Sequence, residues 1–130
     1  MALASDPIRV LIADDQRLFA DALEALLESE EAIVVAGRAA DGGEAVDLAV
    51  ELRPDVILMD ISMPRVDGIE ATRRIRAADP EARVLMLTGS SSSDDVDRSR
   101  KAGASGYVTK DRIGAQLVEA ILAVAGRARA

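Results

Sequence analysis

The sequence predicts an α/β protein in which helices cover both faces of one five-stranded parallel sheet. Five short runs rich in Val, Ile and Leu alternate along the chain with five stretches of helical periodicity. The connections between them are short, and the 130 residues contain no repeat, linker or low-complexity tract. Such a length suits one domain with one core. Strands and helices that alternate in this way form parallel sheets joined by right-handed crossovers.

The first two β–α units occupy the N-terminal part of the chain. An apolar run at 8–13 ends in a pair of aspartates and is followed by an amphipathic helix. The apolar face of that helix is predicted to comprise Leu18, Ala22, Leu23, Leu26 and Leu27. The second strand is predicted at 33–36. Asp41 and Glu44 have the spacing of a capping box at the start of the second helix, which Pro54 ends.

The third and fourth units contain the most apolar strands. Residues 56–59 lead directly into Asp60, and a continuous apolar run of this kind is typical of a strand buried on both faces. The third helix is predicted to begin at Gly68. The fourth strand, at 84–87, ends at Thr88.

The last two helices differ in how firmly we expect them to be held. The fourth, at 94–102, has Val96 and Ala102 as its main apolar anchors, so little buried area should fix it. A fifth strand is predicted at 106–110, with Asp111 as the cap of the final helix. One face of that helix carries Ile113, Leu117, Ile121 and Val124, and the stripe is widened by Val118 and Leu122. The extra width is compatible with more core and also indicates a homodimer contact.

Five such units are most simply arranged as a flavodoxin-like (βα)5 three-layer sandwich with strand order 2-1-3-4-5. The switch point of this topology lies between the first and third strands, and ligands bind at the carboxyl edge beside it. We expect the domain to span residues 8–125. Residues 1–7 are then a flexible N-terminal extension, and 126–130 a C-terminal tail or the start of a linker to a further domain.

The composition excludes several classes of function. A net charge of −7 argues against direct nucleic-acid binding by this segment, because that needs clustered Lys and Arg. The chain has no Cys and no His, which excludes disulfides, thiolate metal sites and imidazole bases. It also lacks a signal peptide and any apolar run long enough to span a bilayer. We therefore expect a cytoplasmic protein with no membrane partner.

Polar side chains stand where four of the predicted strands end. The first strand ends in Asp14 and Asp15, the third in Asp60, the fourth in Thr88 and the fifth in Lys110. Because parallel strands finish on one edge of a sheet, these side chains should converge at the switch point. Three carboxylates against one ammonium favour recruitment of a cation. Mg²⁺ fits best, since it prefers oxygen ligands and softer metals find no His or Cys here.

This set of groups suits phosphoryl transfer. A metal ion and the ammonium of Lys110 would neutralise the phosphoryl oxygens while a carboxylate attacks in line. Asp60 is the predicted nucleophile because it lies centrally, and Thr88 offers a hydroxyl to a phosphoryl oxygen. Each residue also has a structural interpretation: the aspartate pair as helix caps, Thr88 as a β-former and Lys110 as a solvated strand end. Four strands that all end on compatible polar groups favour the functional interpretation.

Several short motifs together resemble the receiver domain of two-component response regulators. They are Asp14-Asp15 after the first strand, Asp60 with Met63-Pro64 and Asp67-Gly68, Thr88-Gly89, and Gly106-Tyr107 with Lys110. The resemblance extends over nearly the whole chain, from about residue 8 to residue 124. Segments 14–27 and 106–111 are most similar to receivers that precede a LuxR-type helix-turn-helix output domain.

The resemblance implies how the site would work. Asp60 would accept a phosphoryl group from a sensor histidine kinase, and Lys110 would pair with that group. Asp15, Asp60 and the main-chain carbonyl of Ser62 would bind Mg²⁺, with Asp14 acting through water or by orienting the other ligands. The chain would then be a signalling domain that assists its own phosphorylation and dephosphorylation, not an enzyme that turns over an external substrate.

The resemblance also implies a conformational switch. The hydroxyl of Thr88 would move toward the phosphoryl group, and the ring of Tyr107 would turn inward behind it. Ser62 and Ser90 occupy positions that in this family tune hydrolysis of the acyl phosphate. The switch would control an output domain or a partner, and through it transcription.

Three alternatives remain open at this stage. A haloacid-dehalogenase-like phosphatase would also use an Asp nucleophile and Mg²⁺, but it needs a second Asp where this chain has Ser62. A flavin-binding electron carrier of the same topology needs a first loop that binds phosphate, which Asp14 and Asp15 would oppose. The third alternative is a receiver fold used only as an unphosphorylated interaction module.

Overall fold

The computed structural model describes residues 6–89 and 92–126, and strands and helices alternate through these ranges. The elements are β1 (Ile8–Ala13), α1 (Arg17–Glu28), β2 (Ile33–Ala39), α2 (Gly42–Leu52), β3 (Val56–Asp60), α3 (Gly68–Ala78), β4 (Val84–Thr88), α4 (Ser93–Ala102), β5 (Gly106–Thr109) and α5 (Ile113–Val124). All pairings are parallel and the strand order is β2-β1-β3-β4-β5, which confirms the predicted fold class. Ser90, and most of the predicted N-terminal extension and C-terminal tail, lie outside the described residues.

The sheet separates two apolar layers. Every residue of β3 and β4 is buried, as expected for strands covered on both faces. Helices α1 and α5 cover one face, where Leu23 and Leu117 belong to the same core cluster as Leu58. Helices α2, α3 and α4 cover the other, where Ile75 clusters with Ile57. Within these ranges no helix is both long and apolar enough to cross a membrane.

Strand β2 contains a bulge and is longer than predicted. Val10 pairs with Val35, whereas Leu11 pairs with Gly37, so Ala36 has no partner on β1. One extra residue reverses the face that later side chains take. Val35 accordingly packs in the α1–α5 layer, although Ala39 lies in the other. The prediction ended this strand at 36 because the bulge interrupts its apolar pattern, but pairing resumes beyond it.

The buried face of α1 differs from the predicted one. Ala20, Leu23 and Leu27 are buried, whereas Leu18 is 84% exposed and Ala22 is also exposed. Residues two apart on a helix point in nearly opposite directions, at 3.6 residues per turn. Once Ala20 faces the sheet, Leu18 and Ala22 must face away from it.

The entry into α5 is also different from the prediction. Strand β5 ends at Thr109, and a 3₁₀ turn, Lys110–Arg112, runs directly into α5. The N-cap residue is therefore Arg112, which makes no side-chain cap, and Asp111 does not cap the helix. Leu122 is buried in the core and Val118 is partly buried. Leu122 of the widened stripe is therefore part of the core, and the homodimer contact stays a prediction.

Candidate functional site

Three carboxylates meet at the carboxyl edge of the sheet. Asp14 follows β1 and Asp60 ends β3, and these strands are neighbours at the switch point. One oxygen from each of Asp14, Asp15 and Asp60 lies within 4.8 Å of the others. Asp14 and Asp60 are each only 4% exposed, whereas Asp15 is exposed. The structure therefore brings these residues together as the topology predicts.

Lys110 reaches the same cluster from the 3₁₀ turn after β5. Its Nζ lies 3.3 Å from Asp14 Oδ2 and 3.4 Å from Asp60 Oδ2. The lysine side chain is 20% exposed, so it is mostly covered by the residues around it. One ammonium thus serves two buried carboxylates, which leaves the cluster with excess negative charge.

Asp60 is the carboxylate most affected by these surroundings. Burial raises the pKa of Asp60 from 3.8 to about 6, and the nearby charge of Asp14 acts in the same direction. The ammonium of Lys110 opposes this rise. So does the peptide N–H of Ser62, which donates to Asp60 Oδ1 at 3.3 Å.

Asp14 has one oxygen that is well satisfied and one that is not. Its Oδ1 accepts a hydrogen bond of 2.8 Å from the peptide N–H of Gln16. Its Oδ2 is buried and accepts none from the described residues, although the ammonium of Lys110 is an ion-pair partner. A buried acceptor without a hydrogen bond calls for an explanation. The three clustered carboxylates fit a hard divalent cation, which binds oxygen ligands.

The two predicted switch residues lie on adjacent strands beside the cluster. Thr88 is 4% exposed at the end of β4, next to Leu87, which pairs with Asp60. Tyr107 pairs with Met86 across the β4–β5 ladder and is 45% exposed, so its ring is only half covered. Ser62 is exposed and contacts Asp60 through its peptide nitrogen. The metal-binding role of its carbonyl stays a prediction.

Sequence reasoning missed two residues that contact the lysine. Gln16 Oε1 accepts a hydrogen bond of 3.4 Å from Lys110 Nζ. The ring of Phe19 lies 4.3 Å from the same nitrogen, measured to its centroid. Phe19 stands one helical turn after Asp15 and is one of only two aromatic residues in the chain. That position beside the acidic pair is the signal that could have found it.

Gly68 fixes how closely α3 approaches the phosphoryl-acceptor candidate. A Cβ at this position would lie 2.0 Å from the carbonyl oxygen of Asp60, so only glycine fits. The peptide N–H of Gly68 donates to the carbonyl of Ile61 at 2.9 Å. Asp67 caps the helix by accepting from the N–H of Glu70 at 2.8 Å. The loop after Asp60 is therefore braced against the start of α3.

The fold and site define a class of protein: a doubly wound α/β domain with an acidic cluster and a lysine at the carboxyl edge of its sheet. The family model of the response regulator receiver domain matches residues 10–122. The chain therefore belongs to the response regulator receiver family. This membership decides against the phosphatase and the electron carrier as descriptions of the chain.

Known relatives place the chain among receivers of the LuxR type. LiaR, a transcriptional regulatory protein of Bacillus subtilis (strain 168), is 44% identical over 116 residues, which are 89% of this chain and 55% of LiaR. A LuxR-family response regulator from Aurantimonas sp. SI85-9A1 is 41% identical with a TM-score of 0.89, over 95% of this chain and 89% of that one. A chain of the CheX–CheY–BeF3–Mg²⁺ complex from Borrelia burgdorferi is 30% identical with a TM-score of 0.85, over 92% of this chain and 90% of that one. The chain spans about half the length of the curated relatives it matches.

Proposed function

We propose that this chain accepts a phosphoryl group on Asp60 from a sensor histidine kinase. The observation that supports this most directly is the place of Asp60. Its Oδ2 lies 3.4 Å from the ammonium of Lys110, and the carboxylates of Asp14 and Asp15 stand beside it. A nucleophile, a cation and an acidic pair at one sheet edge are the parts that phosphoryl transfer needs.

The proposed reaction is an in-line displacement on phosphorus. A carboxylate oxygen of Asp60 attacks the phosphorus of a phosphohistidine, an O–P bond forms, and the N–P bond breaks with its electron pair going to the imidazole. Lys110 pairs with a phosphoryl oxygen, and the hydroxyl of Thr88 donates a hydrogen bond to another. The same residues assist the later hydrolysis by water, and no external substrate is turned over.

Mg²⁺ is the proposed cofactor. Asp15, Asp60 and the main-chain carbonyl of Ser62 would hold it, and Asp14 would act through water or by orienting the other ligands. The bound ion would supply positive charge to the phosphoryl oxygens. Support comes from the buried Asp14 oxygen without a hydrogen bond and from the relative whose complex contains Mg²⁺ and BeF3.

The proposed response to phosphorylation is a movement of the Thr88 and Tyr107 side chains. The Thr88 hydroxyl turns toward the phosphoryl group, and the half-covered Tyr107 ring moves into the space behind it. Helix α4 lies between their strands in the sequence and is displaced with them.

The wider role follows from the relatives. We propose that residues 8–125 form the receiver unit, and that it acts on a LuxR-type output domain that binds DNA, with homodimer formation as one means. The receiver itself does not bind nucleic acid. A cytoplasmic location suits this role, because histidine kinases draw their phosphoryl group from ATP.

Mass spectrometry after incubation with acetyl phosphate and Mg²⁺ tests the proposal. We expect one phosphoryl group on the wild-type chain and none on Asp60→Asn. The matched control is Asp47→Asn, which makes the same charge change at an exposed position of α2 and should be labelled like wild type. EDTA should abolish labelling. Equal labelling of wild type and Asp60→Asn would overturn the assignment of Asp60.

A further inference from the structure

The ammonium of Lys110 touches two side chains that have no part in the function proposed above. Its Nζ lies over the ring of Phe19, 4.3 Å from the centroid, and 3.4 Å from Gln16 Oε1. Gln16 and Phe19 come from the start of α1, whereas Lys110 comes from the turn after β5. The contacts therefore join two distant parts of the chain at the edge of the acidic pocket.

We propose that Phe19 and Gln16 are positioning residues that hold the ammonium of Lys110 beside Asp60, where it meets an incoming phosphoryl group. The inference deepens the proposed function and rests on it. Neither residue touches the reacting atoms. Each acts through the lysine.

A lysine at this site needs such support. Its side chain is long, flexible and 20% exposed, so holding it in one conformation costs side-chain entropy. Both carboxylates lie at ion-pair distance, and Nζ also donates a hydrogen bond to Gln16 Oε1. A ring face below the ammonium adds an attraction that holds the cation at one place.

Both supporting residues are themselves fixed. Phe19 is partly buried and packs against the core cluster between the sheet, α1 and α5. The backbone of Gln16 is held by its peptide N–H, which donates to Asp14 Oδ1 at 2.8 Å. The core-packed ring of Phe19 and the N-cap residue Gln16 thus define where the ammonium lies. A change at Phe19 should reach the reaction through Lys110.

Lysine NMR tests the placement without any phosphorylation. The chain has two lysines, Lys101 and Lys110, and the exposed Lys101 on α4 serves as an internal control. We expect the ring current of Phe19 to shift the Lys110 Hε resonances upfield of those of Lys101. Phe19→Leu should abolish this shift, and Phe19→Tyr, which keeps the ring, should preserve it. A Lys110 resonance that does not respond to Phe19→Leu would overturn the proposal.

Rates of phosphoryl uptake from acetyl phosphate test the consequence. Phe19→Leu should slow uptake by about two- to fivefold, as expected for the loss of one partly exposed cation–π contact, and Phe19→Tyr should restore the rate. In a Lys110→Met background, Phe19→Leu should change the residual rate no further. Equal slowing in both backgrounds would show a merely structural role and refute the proposal. Absence of labelling in wild type would instead refute the proposed function, and the NMR result would still decide the positions of Phe19 and Lys110.

Discussion

Asp60 is a carboxylate that the fold keeps away from water. Its side chain is 5% exposed, a second buried carboxylate stands beside it, and they share one ammonium. The raised pKa of Asp60 follows from this arrangement. A charge held in such a place destabilises the fold unless a cation accompanies it.

The destabilisation caused by the buried charge of Asp60 should appear in the pH dependence of the free energy of unfolding. With the pKa of Asp60 raised from 3.8 to about 6, the folded chain holds this proton more tightly than the unfolded chain does. Its contribution to stability is present below about pH 4 and is lost as the pH rises through about 6. In EDTA at pH 7, Asp60→Asn should increase the free energy of unfolding by about 2 to 3 kcal/mol, and near pH 4 by much less. Urea unfolding at both pH values measures this.

Asp47→Asn is the control for this experiment. Asp47 is exposed on α2, so its substitution should leave the free energy of unfolding nearly unchanged at both pH values. An Asp60→Asn effect of the same size at pH 4 and pH 7 would contradict the raised pKa.

At this scale the sequence predicted the site because strand ends are easy to locate. The site residues Asp14, Asp60 and Lys110 each follow an apolar run that predicts a strand. Because the strands are parallel, these residues meet at one edge of the sheet. Phe19 was missed because its neighbour Leu18 fits the apolar periodicity of α1, yet Leu18 faces solvent. The rotation of a helix about its own axis decides which of its residues face a site. Apolar periodicity alone does not determine this rotation.

Among the helices, α3 is the one most tightly tied to the site. Its first residue, Gly68, lies so close to the carbonyl of Asp60 that backbone atoms on both sides would have to move to admit a side chain. The start of α3 and the end of β3 are therefore in direct backbone contact.

Gly68→Ala should lower the free energy of unfolding by about 1 to 3 kcal/mol, because it overpacks a backbone contact. Phosphoryl uptake should also fall, since the displaced atoms belong to Asp60 and Ile61. Gly114→Ala in α5 is the matched control. A Cβ there meets nothing within 4 Å, and the change should stabilise by about 0.4 to 1 kcal/mol. Equal effects of the two substitutions in urea unfolding would refute the close approach.

Helix α4 is held more loosely than its neighbours. It buries Ser99 and Ala102, whereas α3 buries five residues, and the buried Ser99 Oγ has no hydrogen-bond partner in the described part of the chain. We expect amides of α4 to exchange with deuterium faster than those of α3. Ser99→Ala removes the unsatisfied hydroxyl and should slow exchange in α4 while leaving α3 unchanged. Faster exchange in α4 of Ser99→Ala would contradict this.

The elements themselves were predicted well where local signals exist and poorly where tertiary contacts decide. Asp41 accepts from the N–H of Glu44, and the carboxylate of Glu44 accepts from the N–H of Ala40, much as the capping-box spacing implies. The bulge at Ala36 depends on pairing with β1, and the 3₁₀ turn before α5 depends on how that helix docks. The local sequence shows where the apolar pattern of β2 breaks, but it does not show that pairing resumes beyond the bulge or that a 3₁₀ turn precedes α5.

At the scale of the whole molecule, two apolar layers stabilise the fold, and repulsion within an acidic surface opposes them. The net charge is −7, and the acidic cluster concentrates part of it at one edge of the sheet. A cation bound there would stabilise the folded state by mass action.

Mg²⁺ should therefore raise the unfolding temperature. At a concentration of about 100 times its dissociation constant the gain is about 2.7 kcal/mol. Scanning calorimetry should show this for wild type and for Asp47→Asn, but far less for Asp15→Asn. NaCl at matched ionic strength controls for general screening of the net charge. A gain from Mg²⁺ that is the same in Asp15→Asn would exclude the cluster as the binding site.

The bulge in β2 has a consequence for colloidal behaviour. β2 is one outer strand of the sheet, its ladder is interrupted at Ala36, and its Arg38 is engaged by acidic side chains of α1. The other outer strand, β5, is four residues long. An irregular, charged outer strand and a short outer strand are both poor templates for pairing with a strand from another molecule. Native molecules at high concentration should therefore resist pairing edge to edge into fibrils.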